Sequence, residues 1–191
     1  MISDKVFTQA LDKVLKHEGG YNETKGDRGG ATNFGVSLKF LSQNGDINGD
    51  GVLDFDIDGD NEITAEDIQQ LKREDAERIY YELFWKPNRY DQIRYPAIAI
   101  KVFDLAVNMG WRQANKILQR AMNAVMGQNF VAVDGVIGPK TLDALNSLNV
   151  TNGAMVMPVL VAEAAAYYRL IIALNPVLKK FENGWMNRAY S

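Results

Sequence analysis

The stretch HEGGYNETKGDRGGAT, residues 17–32, combines the carboxylates of Glu18, Glu23 and Asp27 with two glycine pairs. Glu18 lies directly before the first pair, Asp27 lies shortly before the second, and Thr32 ends the stretch. Glycine pairs let the backbone turn tightly, so polar side chains here can come together over a cleft. We therefore expect the chemistry of the chain to be carried by this stretch.

An amphipathic helix is predicted to lead into the stretch. Apolar residues recur at three- and four-residue spacing from Val6 to Leu15, and Ser3 or Asp4 can cap the start. The first glycine pair ends the helix, which leaves Glu18 near the negative end of the helix dipole, where ionisation is disfavoured. A carboxyl group that stays protonated can serve as the general acid of a glycoside hydrolase. The alternative, a solvated glutamate before a helix end, is the commoner case for these residues alone.

Composition excludes several other kinds of chemistry. The 191 residues are 47% hydrophobic and 24% charged, which is typical of a globular protein. The sequence has no cysteine and one histidine, which argues against disulfides, thiolate metal sites, multi-histidine metal sites and a Ser-His-Asp triad. The N-terminal sequence does not read as a signal peptide, and we expect no apolar run long enough to cross a bilayer.

Charge is distributed unevenly along the chain. Residues 46–77 hold twelve acidic and two basic residues, a net of −10, so the remainder of this −3 chain is +7. A basic remainder suits an anionic polymer such as a bacterial cell wall or nucleic acid, although it can also be ordinary surface charge. Because no nucleic-acid-binding motif or aromatic-basic stripe is present, we expect no nucleic acid partner.

The acidic segment contains two imperfect copies of a ten-residue pattern, DINGDGVLDF at 46–55 and DIDGDNEITAED at 56–67. The second copy fits the twelve-residue calcium-binding loop, with Asn61 in place of the usual glycine and aspartate in place of the final glutamate. Its predicted ligands are Asp56, Asp58, Asp60, the carbonyl of Glu62, Thr64 and Asp67.

The first copy is less complete. It offers Asp46, Asn48 and Asp50, but Ile57 falls at its twelfth position and the two loops overlap. We expect one structural Ca²⁺ and leave a second open, the alternative being an empty acidic loop. Over about twenty residues the segment resembles the loops of EF-hand and dockerin domains.

Elsewhere the patterns predict a mainly α-helical chain. One helix is expected from Thr64 to Pro87, one from Pro96 with Asp104 and Asn108 on the same face, and further helices at 112–126, from 139 or 140, at 153–174 and from Pro176. Short strands are expected only near 30–36 and 130–137. Asp104 and Asn108 can bind a sugar from a cleft floor or serve a structural role.

Several motifs in this order carry a family resemblance. EGGY, D-x-G-G-x-T, YYELFW and FDLAVNMG resemble glycoside hydrolase family 108, the lysozyme-like N-acetylmuramidases of phages and bacteria. ILQRAMN, VAVDGVIGPKTLDALN and ENGWMNR resemble the peptidoglycan-binding module commonly paired with that region. The resemblance implies a lysozyme-like helical fold with a catalytic region at 1–110 and a helical peptidoglycan-binding region at 111–191. The calcium-loop insertion at 44–67 is not part of the family pattern.

The resemblance also implies an activity. It is cleavage of the β-1,4 bond between N-acetylmuramic acid and N-acetylglucosamine, with Glu18 as the catalytic acid. Asp27 and Thr32 match the Glu-Asp-Thr set of phage-type lysozymes, with one residue fewer between them, and Tyr21 and Asn108 are candidate substrate contacts. The alternatives are a lytic transglycosylase and a non-catalytic, calcium-dependent wall-binding protein. We expect a monomeric antimicrobial phage endolysin, made in the host cytoplasm without a signal peptide and acting on the periplasmic wall.

Overall fold

The computed structural model describes residues 4–17, 20–23, 30–127 and 129–191. The chain divides into two compact units, Met1–Pro87 and Asn88–Ser191. Within the described ranges both units are built mainly from helices, and the strands form a single two-stranded sheet. The prediction of a mainly α-helical fold is therefore confirmed.

The elements of the first unit are α1 (Lys5–His17), β1 (Thr32–Asn33), β2 (Val36–Ser37), α2 (Leu38–Asn44), α3 (Ala65–Gln70), α4 (Arg73–Tyr80) and a π-helical turn (Tyr81–Trp85). Asp4 caps α1, because its Oδ1 accepts the N–H groups of Val6 and Phe7 at 2.9 and 3.0 Å. Its Oδ2 accepts the indole N–H of Trp85 at 2.9 Å. The buried ring of Phe7 packs against Trp85, so the start of α1 is fixed to the core.

The small sheet begins at Thr32, the last residue of the stretch that is predicted to carry the chemistry. β1 and β2 are antiparallel, with Thr32 opposite Ser37. The two turn residues, Phe34 and Gly35, both have positive φ, as a tight two-residue hairpin requires. The prediction of short strand near 30–36 is confirmed.

The predicted continuous helix over 64–87 is wrong, because the chain breaks between α3 and α4. Leu71 has extended backbone angles there, and the side-chain amide of Asn33 donates to three carbonyls at the end of α3. The carboxylate of Asp75 then accepts the N–H of Lys72 at 2.8 Å and starts α4. A buried amide from a distant strand thus takes the place of helical hydrogen bonds.

The elements of the second unit are a 3₁₀ turn (Tyr90–Gln92), α5 (Pro96–Met109), α6 (Trp111–Met126), α7 (Pro139–Asn146), α8 (Val150–Leu174), a second 3₁₀ turn (Pro176–Phe181) and α9 (Glu182–Tyr190). α6 packs against α5 and along α8, and α9 packs on the other end of α8. Tyr168 and Trp185 stack with ring centroids 5.2 Å apart at that contact. The helix predicted from Pro176 therefore begins as a 3₁₀ turn and becomes α-helical at Glu182.

A polar network fixes the loop between α6 and α7. Fully buried Asn115 accepts the hydroxyl of Tyr90 at 2.8 Å and donates to Asn88 and to the carbonyl of Gly135 at 3.0 Å. Gln119 accepts the N–H of Gly135 at 2.8 Å. The strand predicted near 130–137 is wrong, because these side-chain amides satisfy the loop's backbone in place of a neighbouring strand.

α8 departs from a further expectation. Within the described part of the chain it is the one helix long and apolar enough, by length and composition, to cross a membrane, and 28% of its apolar window is buried. The expectation that no run reaches this length does not hold. One face of α8 is nevertheless part of the core, with Val156, Leu160, Ala164 and Tyr168 all buried.

Candidate active site and acidic loops

The predicted catalytic residues Glu18 and Asp27 lie outside the described residues. The structure describes what flanks them: α1 ends at His17, and the chain is described again from Gly20. Asn22 and Thr32 exchange two backbone hydrogen bonds of 2.8 and 2.9 Å. The described backbone on the two sides of residues 24–29 is therefore paired.

Two further predicted residues, Tyr21 and Thr32, lie at this pairing. The ring of Tyr21 is exposed, and its hydroxyl donates to Glu23 at 2.9 Å, a bond that raises the pKa of Tyr21. The backbone of Thr32 is paired on both sides, with Asn22 and with Ser37. Tyr21 is thus held by a side-chain hydrogen bond and Thr32 by backbone pairing. Their roles in binding or cleaving a substrate stay predictions.

Asp104 and Asn108, the polar pair predicted on one face of α5, have partners within the second unit. Asn108 accepts the hydroxyl of Tyr168 at 2.8 Å. Buried Asp104 lies 3.3 Å from the Nε of Arg188, and Lys101 donates to the backbone carbonyl of Arg188 at 2.5 Å. These contacts favour the structural role for Asp104, whereas contact of Asn108 with a glycan stays a prediction.

The ten-residue repeat of the acidic segment reappears in its hydrogen bonds. In each copy the first aspartate, Asp46 or Asp56, accepts N–H groups from the residues three, four and five positions later, at 2.7–3.2 Å. The sixth residue has positive φ in both copies, +87° at Gly51 and +68° at Asn61. Asn61 thus takes the left-handed conformation expected at the glycine position of a calcium loop.

The repeat extends to a residue that the sequence did not identify. The N–H of Ile47 donates to Asp54 at 2.9 Å, and the N–H of Ile57 donates to Asp67 at 2.7 Å. Asp54, which also forms an ion pair with Arg78 of α4, therefore does in the first loop what Asp67 does in the second. Spacing alone could not reveal this equivalence, because the carboxylate lies seven residues on in one copy and ten in the other.

Three of the predicted ligands come together as one cluster. Asp56, Asp58 and Asp60 each place a carboxylate oxygen within 4.8 Å of the other two, so the cluster can hold a metal ion. A backbone hydrogen bond from Asp60 lowers the pKa of Asp58, but burial and the charges of Asp60, Asp67 and Asp56 outweigh it and raise that pKa. A cation among the carboxylates relieves this repulsion.

In the structure Asp67 caps a helix, and its role as a metal ligand stays a prediction. Its Oδ2 accepts the N–H and the hydroxyl of Thr64 at 2.8 and 3.0 Å, so this carboxylate caps α3. Burial raises the pKa of Asp67, but these hydrogen bonds and that from Ile57 lower it overall. In the first loop, Asp50 accepts side-chain and backbone N–H groups from Asn48 and Val52, which lower its pKa.

A groove runs beside α6 in the second unit. One part of about 350 Å³ is lined by Arg120, Glu163 and Tyr167, with Arg120 and Glu163 paired at 2.9 Å. An adjoining part of about 330 Å³ is lined by Trp111 and Lys116 among others, and both parts share Gln113. An exposed tryptophan beside basic side chains suits a glycan that carries acidic peptides.

Comparison with known proteins assigns the chain to a protein family. A family model described as Glycosyl hydrolase 108 matches residues 11–110, just over half of the sequence. The chain belongs to the glycosyl hydrolase 108 family. A second model, described as Predicted Peptidoglycan domain, matches residues 113–190 of this family 108 hydrolase.

Among solved structures, the structure of Brucella abortus SagA is similar to this family 108 hydrolase. The two are 26% identical with a TM-score of 0.70, and the match covers 96% of this chain and 89% of SagA. None of the curated protein sequences compared with the chain matches it.

These matches establish the activity class. The protein is a glycoside hydrolase, a muramidase that acts on the peptidoglycan of the bacterial cell wall. The family resemblance, enzyme class and substrate predicted from the sequence are confirmed. α5 belongs to the hydrolase model by sequence, yet it packs within the second structural unit.

Proposed function

We propose that Glu18 is the general acid of this muramidase and protonates the glycosidic oxygen between N-acetylmuramic acid and N-acetylglucosamine as the bond breaks. The observation that carries the proposal is the position of Glu18 in the sequence, directly after the last residue of α1 and within the hydrolase match. The C-terminal end of a helix disfavours a carboxylate and so favours a proton on Glu18 near neutral pH.

Asp27 and Thr32 complete the proposed machinery. Asp27 positions a water molecule or stabilises the positive charge that develops on the sugar, and Thr32 orients the water. The backbone pairing of Thr32 on both sides supports this role, because it limits where the hydroxyl can point. Tyr21 and Asn108 are proposed to contact the glycan.

The test is Glu18→Gln, which keeps the shape of the side chain and removes the proton donor. We expect the rate of wall digestion to fall about a hundredfold to ten-thousandfold, the usual contribution of a general acid. Glu23→Gln is the matched control, since it changes another carboxylate of the same segment and should leave the rate within about twofold. Equal rates in the two variants would remove Glu18 from the mechanism.

Product analysis separates the proposal from the alternatives. Hydrolysis leaves a reducing N-acetylmuramic acid end that borohydride reduces, whereas a lytic transglycosylase leaves a 1,6-anhydro end that it does not. Mass spectrometry of digested wall distinguishes these products, since the hydrolytic one is heavier by one water. A non-catalytic wall-binding protein releases neither product.

We also propose that residues 1–110 form the catalytic region and residues 111–191 the peptidoglycan-binding region, with the groove beside α6 contacting the wall. The exposed Trp111 and the basic Lys116 support this placement. In the Glu18→Gln background, Trp111→Ala or Lys116→Glu should weaken sedimentation with purified wall at least about threefold. Unchanged sedimentation would place wall binding on another face. The monomeric state and the phage endolysin role stay predictions.

We propose that the acidic cluster holds one structural Ca²⁺. Its carboxylate oxygens come from Asp56, Asp58 and Asp60, with the carbonyl of Glu62 as a further ligand. The close approach of the three oxygens and the left-handed Asn61 support this, since Ca²⁺ takes six to eight oxygens in such loops. Because Asp67 caps the N-terminus of α3, we propose that a water molecule or Thr64 completes the set of oxygen ligands around the Ca²⁺.

Calorimetric titration of chelator-treated protein with Ca²⁺ tests the cluster and counts the ions. We expect one site, a melting temperature that rises with Ca²⁺, and loss of both effects in Asp58→Asn. Asp50→Asn is the matched control, because it makes the same change in the first loop. A second site abolished by Asp50→Asn would assign a second ion to the first loop. If wild type binds no Ca²⁺, the proposal is wrong and the aspartates only accept hydrogen bonds within the turn.

A further inference from the structure

The C-terminal end of α8 and the 3₁₀ turn after it expose an apolar surface, here called the α8 tip. It consists of Leu170, Leu174, Val177 and Phe181, whose exposed fractions are 55%, 77%, 72% and 44%. Four large apolar side chains lie within one short stretch, which is unlike the scattered single residues common on protein surfaces. Such a patch marks a surface that meets something other than water.

The packing of the rest of α8 argues against a helix that crosses a membrane. Val156, Leu160, Ala164 and Tyr168 are buried on the face of α8 that packs against α6 and α9. A helix that crosses a bilayer would have to give up this packing. The exposed apolar surface is therefore suited to lying at an interface.

The charge around the tip indicates the chemistry of its partner. Residues 164–181 contain three basic residues, Arg169, Lys179 and Lys180, and the one carboxylate next to the tip is that of half-buried Glu182. Lys179 and Lys180 are exposed between Val177 and Phe181, and the Nζ of Lys180 lies 4.9 Å from the centre of the Phe181 ring. Apolar side chains interleaved with lysines suit the boundary between acyl chains and anionic headgroups.

The same charge argues against a second copy of the chain as the partner. In a two-fold dimer the same patch faces itself, so Lys179 and Lys180 of both copies would be brought together. The adjacent carboxylate of Glu182 is half-buried and offers one negative charge per copy against two lysines. A phospholipid surface supplies the missing negative charge.

We propose that the α8 tip inserts into the surface of an anionic phospholipid bilayer. Leu174 and Val177, the two most exposed of its side chains, enter the acyl boundary, and Lys179 and Lys180 contact lipid phosphates. This contact is separate from the glycosidase chemistry and holds the enzyme at the membrane that borders its polymeric substrate.

Vesicle sedimentation of the full chain tests the proposal. Wild type should sediment with vesicles of phosphatidylglycerol and phosphatidylcholine, less so as salt rises, and not with phosphatidylcholine alone. Leu174→Ser/Val177→Ser should lower the partition coefficient at least about tenfold, because the variant loses both apolar side chains that enter the acyl boundary. Lys179→Glu/Lys180→Glu should abolish the preference for anionic vesicles.

Val150→Ser is the matched control. Val150 is 81% exposed at the opposite end of the same helix, so this variant should bind vesicles like wild type. Equal losses in control and tip variants, or no binding of wild type to anionic vesicles, would overturn the proposal. So would a dimer, detected by light scattering, that Leu174→Ser/Val177→Ser dissolves. Digestion of purified wall should be unchanged in every tip variant, because none of the substituted residues lines the groove proposed to contact the wall. This separates the test from that of the hydrolase.

Discussion

Gly135→Ala probes the buried network that fixes the loop between α6 and α7. Gly135 has φ +82°, and an added Cβ would lie 2.6 Å from the carbonyl oxygen and 2.7 Å from the Cγ of Arg112. A positive φ costs a residue with a side chain about 1–2 kcal/mol, and relieving an overpacked contact costs about 1–3 kcal/mol. We therefore expect the free energy of unfolding to fall by about 2–5 kcal/mol.

Urea unfolding followed by far-UV circular dichroism measures this change. Gly138→Ala is the matched control, since Gly138 lies in the same loop with φ −86° and, among the described residues, nothing within 4 Å of an added Cβ. It should change the stability by less than about 1 kcal/mol. Gly135→Asn separates the two costs, because asparagine tolerates positive φ but keeps the clash, so it should recover less than about 1 kcal/mol. Equal stability of Gly135→Ala and Gly138→Ala would refute the close packing against Arg112.

Three further predictions concern stability. Asn115→Ala removes three hydrogen bonds of a fully buried side chain and should cost about 2–4 kcal/mol by urea unfolding, and a loss below about 1 kcal/mol would contradict the network. Hydrogen bonds from Gln119 and Val136 lower the pKa of Asp134, so its charge stabilises the fold above its unfolded pKa of about 4 and ceases to do so as the pH falls through the folded pKa. The melting temperature of Asp134→Asn should accordingly lie below wild type at neutral pH and converge with it in strong acid, and a pH-independent gap would refute this. Asp4→Ala removes the cap of α1 and the bond from Trp85 and should cost about 2 kcal/mol, whereas Asp4→Asn should retain most of the cap.

The sequence predicted the features that depend on neighbouring residues. Local spacing predicts the cap at Asp4, the prolines that begin α5 and α7, and the extent of α6. The structure has each of these features within a few residues of its predicted position. The cluster of Asp56, Asp58 and Asp60 was predictable for the same reason, since a turn with fixed spacing brings alternate side chains together.

Features that depend on distant residues were not predictable. Asn33 ends α3 from a strand more than thirty residues earlier, and Asn115 replaces a strand partner for the loop at 130–137. The exposure of Leu174 depends on where α9 packs along α8. The spacing of apolar residues in the sequence does not predict that position.

Asp67 shows a different limit of sequence interpretation. Thr64-Ala65-Glu66-Asp67 fits both the start of a helix and the end of a calcium loop, so one carboxylate satisfies two patterns. In the structure Asp67 accepts hydrogen bonds from Thr64 and Ile57. Only the positions of its oxygens, and not the letters, distinguish the two roles.

The paired turns of the acidic segment also bear on how this region can change length. Each turn closes on its own leading aspartate and carries its own carboxylate for the following isoleucine, Asp54 for Ile47 and Asp67 for Ile57. The first turn therefore closes within residues 46–54 and can be duplicated or lost as a unit, whereas the second turn shares Asp67 with α3. Insertions and deletions among relatives should accumulate here in steps of about ten residues, the spacing of the duplicated unit, and not one residue at a time.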